Sequence, residues 1–476
     1  MRKIILFVAV MMVGSFAWGQ DGALDLSFNP GIGLSSNNVI YSSVIQNDGK
    51  IVYCGNINYN DSSNRSGITR VDTNGTFDVT FVAGNCIDSS KTIYVVAIQQ
   101  DGKIIIGGDF TAYNGFNCNY LARLNLDGSL DTSFKSLIGI FNNGYVKSIV
   151  VQPDGKIIIG GRFMYYDGIS RNGITRLNND GTLDLNFNPH LGIYGGVNSI
   201  VLQVDGKVVV GGLIVQYDTT NVNNIVRILS NGVIDTTFHS GTGFNDVVMT
   251  LKLQPDGKVL VGGVFTTYNG FNGNGIIRIN SNGSIDPTFY SGTGPKQGNN
   301  DPGYIASISL QPDGKIIVGG QFSFFDGLAI NGVNRLNSNG DNDITFYTGS
   351  GSGGVYGYVY STAIQNNGKI IVAGWFSGVS GIIRNHIARL QNNLVGINEI
   401  PTSPITLSPN PTTSSITIKG ITEPTIAVYN LMGQKVVATQ VSNEVSLAQL
   451  PAGMYLVQVF NKDMELVKSE KVILNR

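Results

Sequence analysis

The sequence predicts an all-β protein, a seven-bladed β-propeller of four-stranded blades closed by its N-terminal strand, with a small C-terminal β-sandwich behind it. Three observations predict this. An Asp-Gly-Lys core between two apolar runs recurs along the chain, at Asp48, Asp101, Asp154, Asp205, Asp256 and Asp313, with Asn367 heading a seventh copy. Each core is followed by an Arg-containing run and, in all copies but the last, by a short Asp-containing run. One such Asp run, Asp21 to Phe28, stands alone ahead of the first copy. Successive cores lie about 51 to 57 residues apart, the length of one propeller blade or solenoid unit.

In chain order, Met1-Arg2-Lys3 is a basic start and Ile4 to Val13 a short apolar core. Ala17-Trp18-Gly19 offers small residues for cleavage, so residues 1–19 read as a signal peptide removed between Gly19 and Gln20. The apolar run is too short to span a bilayer, and no other transmembrane segment is predicted. Residues 20–391 then hold the repeats.

Within a repeat, Val151 to Phe163 is representative. Two β-rich runs around a Gly-containing turn read as a hairpin. Pro153, Pro255 and Pro312 hold φ near −65° and so exclude a type I′ turn. The remaining choice is a three-residue loop: a type I turn on Pro-Asp, then Gly155 left-handed in a bulge. The apolar runs are continuous, as expected for strands covered on both faces.

The same loop applied to Leu126-Asp127-Gly128 pairs Leu124 with Leu130 and sets Arg123 opposite Asp131. Arg70 with Asp78, Arg176 with Asp184, Arg227 with Asp235, Arg278 with Asp286 and Arg335 with Asp343 share that spacing. A charge pair repeated in every unit reads as structural. The last unit ends at Arg389-Leu390 with no Asp strand to follow. The spare N-terminal strand fits that gap, so Arg389 is expected to pair with Asp25. Closure removes the exposed edges that an open solenoid would have to cap.

These repeats resemble the delta-60 repeat family, whose units carry the Asp-Gly-Lys-apolar-Gly-Gly-x-Phe core and the Arg-Leu-Asn…Gly-x-x-Asp-x-x-Phe tail. Departures are Cys54 and Ala373 at the first Gly of the pair, and Leu213-Ile214 at x-Phe. The resemblance implies a secreted or surface β-propeller and no particular activity.

Residues 392–404, with Glu399, Pro401 and Pro404, read as a linker. Residues 405–476 change composition and show short alternating runs such as Ser415 to Ile418 and Met454 to Val459, which suits a β-sandwich. This segment resembles the type A C-terminal sorting domain of the type IX secretion system. The resemblance rests on Pro409-Asn410-Pro411, the Tyr429-to-Val436 stretch with Gly433, Pro451-Ala452-Gly453-Met454-Tyr455, and the closing Lys471-Val472. It implies a diderm bacterium, recognition by the outer-membrane translocon and removal by a sortase-like protease. Release, or anchoring to lipopolysaccharide, would follow.

Composition narrows the function. Charged residues make up 13% and the net charge is −1, so neither nucleic acid nor an anionic membrane is expected as partner. From Gln20 to Asn398 there is no glutamate, and many aspartates serve turns or the Arg pairs. Paired carboxylates for acid–base catalysis are therefore hard to assemble, and no catalytic residue or cofactor is expected. His190, His239 and His386 fall in separate blades as surface loop residues, too few for a metal site. Asn125-x-Asp127-Gly128-x-x-Asp131 reads as a hairpin turn, since calcium requires more carboxylates. Cys86 and Cys118 fall in loops on one face, which makes a disulfide conceivable beside the alternative of isolated thiols; Cys54 is a third cysteine.

A candidate binding face comes from the loops before each Arg strand: Tyr113-Asn114, Tyr166-Asp167, Tyr217-Asp218, Tyr268-Asn269 and Phe325-Asp326. Repeated aromatics beside amides and carboxylates suit a glycan or protein ligand; the alternative is that the rings pack beneath their own loops. The expected function is a non-catalytic binding or adhesion scaffold on the cell surface. A purely structural surface ring is the second reading, and a propeller hydrolase or lyase a distant third.

Overall fold

The structure is a computed structural model. It describes residues 20–475 apart from 32–33, 35–36, 59–65, 84–90, 136–143, 291, 299–300, 347, 349–353, 393–404, 431–434 and 463–465. The signal peptide with Gly19, most of the linker, Gly433 and Cys86 thus lie outside the described residues. The chain divides into two compact units, Met1–Asn393 and Leu394–Arg476.

Each of the seven repeats forms a main antiparallel sheet, and some add a separate short hairpin, as Ala112–Tyr113 with Phe116–Asn117. In the second blade Ile93–Ile98 is the inner strand, Ile104–Gly108 the middle one and Leu121–Leu124 the next. The inner strands contact one another in order round the ring, and the seventh (Val355–Ile364) lies against the first (Val39–Ile45). Ser43 and Ser361 join these two through a 2.8 Å hydroxyl pair, and the Ser361 hydroxyl also accepts from the Ser43 amide at 3.0 Å. The hairpin between inner and middle strands has the expected loop. The Gly155 amide bonds the Gln152 carbonyl at 2.9 Å with φ at +82°, and Gln152 closes on Lys156 at 2.8 Å.

Why the apolar runs do not alternate is visible in the middle strands. Ile104 and Ile106 pack with Val52, Cys54 and Ile68 of the preceding blade, whereas Ile105 packs with Val146, Ile149 and Ile159 of the following one. Both faces of each blade meet a neighbour, so the cores lie between blades. Each fully buried isoleucine contributes about 1.5–3 kcal/mol.

The Gly-Gly pair has a steric cause. A Cβ on the second glycine would sit about 2 Å from a carbonyl oxygen of the inner strand, Thr92 O for Gly108 and Tyr145 O for Gly161. The inner strand bulges towards it, with a register shift between Ile93 and Val95. A Cβ on the first glycine meets only side chains, as Gly107 does with Val146 and Val95. Side chains can yield and backbone cannot, so Cys54 and Ala373 are tolerated at the first position while the second stays glycine in all seven blades.

The outermost strand is shorter than four full strands imply. It consists of one bridge, Leu124↔Leu130 in the second blade, and the bond from the Asp131 amide to the Arg123 carbonyl at 2.8 Å. Immediately beyond, Asp131 Oδ1 accepts from the Ser133 amide and hydroxyl, and the Phe134 amide bonds the Asp131 carbonyl. The aspartate turns the chain back on itself, which ends the strand.

The Asp131 carboxylate also accepts from Arg123 Nε at 2.7 Å and from Lys103 Nζ at 2.7 Å, so the Lys of the Asp-Gly-Lys core completes a three-member ion cluster. Lys50 and Arg70 on Asp78, Lys156 and Arg176 on Asp184, Lys258 and Arg278 on Asp286, and Lys315 and Arg335 on Asp343 repeat it at 2.7–2.9 Å. In the fourth blade Arg227 holds Asp235 at 2.8 Å and Lys207 is looser at 3.4 Å. Each guanidinium lies over a phenylalanine and reaches into the next blade: Arg176, 5.1 Å from the Phe187 ring, donates to the Ser230 carbonyl at 2.6 Å.

Closure uses the same parts. Leu24 bridges Leu390, the Asp25 amide bonds the Arg389 carbonyl at 2.8 Å, and Arg389 and Lys369 both reach Asp25 Oδ2 at 2.7 Å. Arg389 then donates to the Thr73 carbonyl of the first blade. At the sixth blade Asp21 and Asn392 stand in for the outer-turn carbonyl and hold Arg335.

The second unit has a three-stranded sheet (Thr406–Ser408, Ser415–Lys419, Glu444–Ser446) and a four-stranded one (Lys435–Val441, Thr425–Tyr429, Gly453–Phe460, Leu466–Leu474). Ile416, Ile418, Val428, Val457 and Val472 fill the space between them. Asn410 Oδ1 accepts from the Ile473 amide at 3.0 Å, Tyr455 bonds the Pro451 carbonyl at 2.7 Å, and Lys471 pairs with Leu456 across the sheet.

Candidate functional site

The loop aromatics are plugs, and this corrects the expectation that they form a binding surface. Tyr113, Tyr166, Tyr217, Tyr268 and Phe325 are each at most 2% exposed. The hydroxyls of Tyr113, Tyr166 and Tyr268 donate to the carbonyls of Gly128, Gly181 and Gly283 at 2.6–2.7 Å, and Tyr217 donates to Gly232. Each of the four tyrosines pins its loop to the outer turn of its own blade, with the phenol satisfied in the interior, while Phe325 is buried without that bond. Their neighbours Asn114, Asp167, Asp218, Asn269 and Asp326 have φ of +49° to +51° and form the hairpin tips. Asp326 in turn accepts from the Thr293 amide at 2.8 Å, and Asn269 from the Thr242 amide at 3.1 Å.

One further expectation changes, for His386, while Cys118 takes the isolated-thiol alternative. His386 is 2% exposed, not a surface residue; it takes φ +66° at a position that Gly173 and Gly332 fill in other blades. Cys118 is a buried free thiol, pushed up to about 12 by burial, as is Cys54 to a higher value still. Among the described residues there is no cluster of three or more metal-ligating side chains.

What the ring does bring together lies on its axis. A cavity of about 580 Å³ opens there, lined by one inner strand from each blade. Seven positions before each Asp-Gly-Lys aspartate, or the Asn367 that replaces it, stand Tyr41, Tyr94, Lys147, Asn198, Met249, Ala306 and Tyr360. All seven line the cavity, with Tyr145 and Tyr304 above them. Aromatic rings run in contact along one side. Tyr41 lies 5.4 Å from Tyr94 and 5.3 Å from Tyr360, and Tyr94 lies 5.7 Å from Tyr145. On the other arm Tyr358 lies 6.2 Å from Tyr360 and 5.1 Å from Trp375. Six rings from blades seven, one, two and three thus form a continuous arc.

The electrostatics of the cavity are simple. Burial, joined by the Asp109 carboxylate, raises the Tyr41 phenol and lifts Tyr94 to about 12. Burial raises Tyr304 and Tyr360 as well, and these two are hydrogen-bonded to each other. The phenols therefore stay neutral hydrogen-bond donors at any physiological pH. On the third-blade strand that carries Tyr145, Lys147 is half-buried, and desolvation lowers its ammonium below the usual lysine value. Asn198, which also lines the cavity, donates from Nδ2 to the Val248 carbonyl at 2.9 Å.

This column does not repeat, so no motif in the sequence marks it. In an array, packing positions agree between copies. The position at which copies differ most is the one not constrained by packing, and that disagreement was the available signal.

A ring of seven repeated sheets with a lined axial cavity and a separate β-sandwich defines a repeat-built β-propeller with an appended domain. The chain belongs to the family described as the domain of unknown function (DUF5122) beta-propeller. Seven copies match, at residues 46–81, 99–134, 152–187, 203–238, 254–289, 311–346 and 365–394. Residues 406–475 match the secretion system C-terminal sorting domain, which indicates export by the type IX secretion system to the cell surface or extracellular space. No match is found among curated proteins.

Among solved structures, the extracellular domain of a hybrid two-component system candidate from B. thetaiotaomicron is 12% identical with TM-score 0.44, over 92% of this chain and 57% of that one. PorZ, a surface component of the type IX secretion system of Porphyromonas gingivalis, is 13% identical with TM-score 0.32, over 92% and 51%. Virginiamycin B lyase from Staphylococcus aureus is 15% identical with TM-score 0.38, over 75% and 96%. The chain thus spans little more than half the length of the first and second of these.

Proposed function

We propose that this exported ring is a non-catalytic binding protein whose recognition site is the aromatic-lined mouth of its axial cavity, and that the ligand is a glycan. The observation that carries this reading is the part of the arc that lines the cavity, Tyr360, Tyr41, Tyr94 and Tyr145, each in contact with the next. Half-buried rings that touch one another and face a cavity are costly to leave in water unless something covers them. Pyranose CH groups, weakly positive, match the negative face of an aromatic ring, while neutral phenols donate to sugar hydroxyls. A cavity of about 580 Å³ falls within the range of small-ligand sites.

The second reading, a rigid surface ring that engages nothing small, is supported by the ion clusters that clasp each blade to the next. A glycan array probed with the mature protein separates the two. Binding that is lost in a Tyr41→Ala/Tyr94→Ala variant of unchanged melting temperature supports the mouth. Ala306 occupies the same column, so alanine there is compatible with the fold. A clean array for the wild type, together with no protein captured by the same surface in a pull-down, would favour the structural ring.

A further inference from the structure

Of the cations that stand outside the repeated ion clusters, two from the third blade line neighbouring hollows. Lys147 lines the axial cavity, and Arg162 lines a groove of about 520 Å³ that leads outward between the third and fourth blades. The cavity and the groove share Tyr145 and Asn198, so they adjoin along one cleft between the third and fourth blades. Neither wall includes an aspartate or glutamate. Among the described residues neither cation makes an ion pair, whereas the arginine and lysine of every repeat motif share an aspartate. Asp109, the acidic group near the arc, lies outside this wall and accepts from the Thr92 amide at 2.6 Å. An extended hairpin of the fourth blade (Ile193–Leu202 and Val208–Tyr217) flanks the groove and exposes Tyr194 at 72% and Leu213 at 55%.

Resting on the glycan-binding reading above, we infer that the cleft takes an acidic oligosaccharide, with one carboxylated sugar on Lys147 against the tyrosine arc and a second further out on Arg162. Lys147, half-buried in the cavity wall and without an ion pair among the described residues, favours an anion, and the exposed Arg162 adds a second positive charge in the groove. Two such cations along one cleft favour a ligand with repeated negative charge. The aromatic faces between them favour pyranose rings as the carriers of that charge. The direction of the groove away from the axis favours a chain over a single sugar.

The test is calorimetry on the mature protein at low salt with three probes. They are a linear oligouronate, the same oligomer with its carboxyls reduced to alcohols, and an oligoglutamate of similar length. The oligouronate should bind, and the reduced form should bind about ten- to a hundredfold more weakly, as expected for loss of charge-assisted hydrogen bonds. Lys147→Met and Arg162→Gln should each lower the preference for the acid, and the double variant should hold the two sugars equally. The same columns carry Met249 and Gln321 in other blades, so both substitutions keep the fold.

Equal binding of the acidic and reduced oligomers overturns this inference while leaving the mouth as a saccharide site. Oligoglutamate binding as tightly as the oligouronate overturns the assignment to sugar. Absence of binding by all three overturns the acidic-sugar assignment, and the array with the tyrosine variant then decides separately whether the mouth binds glycan at all.

Discussion

Asp25→Asn tests ring closure most directly. Asp25 is 2% exposed and accepts four hydrogen bonds: from Lys369 and Arg389 at 2.7 Å, and from the Ser27 hydroxyl and amide at 2.7 and 3.0 Å. An asparagine of the same shape keeps some of these but leaves the Arg389 guanidinium, 6% exposed, without its counter-charge. Breaking one side of a buried pair costs about 3–5 kcal/mol. The Lys369 contact, 26% exposed, adds little to that.

The location of the loss matters as much as its size. Asp131→Asn breaks the same cluster between residues close in sequence, whereas Asp25 and Arg389 are 364 residues apart. Urea unfolding should show a lower midpoint for both variants. Limited proteolysis of the native protein should cut near Asp21–Asn29 in Asp25→Asn alone, because that strand is held to the seventh blade through Arg389 and Gln391 and to the first through Asn74. Asp25→Asn/Arg389→Met should recover part of the stability, since no buried charge is then left. A variant with wild-type midpoint and wild-type protease resistance would refute the account of closure.

Acid should unfold the ring in a defined window. Burial pushes the Asp25 carboxyl up, but Lys369, Ser27 and Arg389 outweigh it and hold it at about 2, and Asp235 is held at about 2 in the same way. The folded value is below the unfolded one, so this stability is fully present above about pH 4 and is lost as pH falls towards 2. Melting temperature should be flat from pH 8 to 5 and drop steeply below 4; a drop centred near 6 would mean that other groups control it. Gly108→Ala should destabilise far more than Gly107→Ala, because its Cβ would meet a carbonyl oxygen at 2.1 Å rather than valine methyls; thermal melts of the two compare them. Tyr166→Phe should cost about 1 kcal/mol for the lost bond to Gly181 and leave glycan binding unchanged, as an array on the variant would record. Cys118 in the native protein should react with a maleimide far more slowly than after unfolding, because its thiol is buried and held neutral.

The amino-acid sequence by itself determines the blade count, the turn type and the strand that closes the ring. Each is written in short-range terms and repeated. A proline beside Asp-Gly excludes one turn and requires another, and an Arg-to-Asp spacing of eight residues follows from a three-residue loop. The lone Asp25 strand has one gap it can fill. The outer strands proved shorter than the pattern suggests, since the same aspartate that pairs with arginine also turns the chain.

Only the tertiary structure decided which residues face the axis, and it reversed the roles of two sets of tyrosines. Tyr113 and Tyr166 recur because each must fill the same space under its loop. Tyr41 and Tyr94 share their column with Lys147, Asn198 and Met249 because an open channel imposes no shape on its lining. Interior packing is the same problem in every blade and leaves a repeated mark, whereas the cleft that joins Lys147 to Arg162 exists once. Its parts come from strands that meet only when the ring has closed.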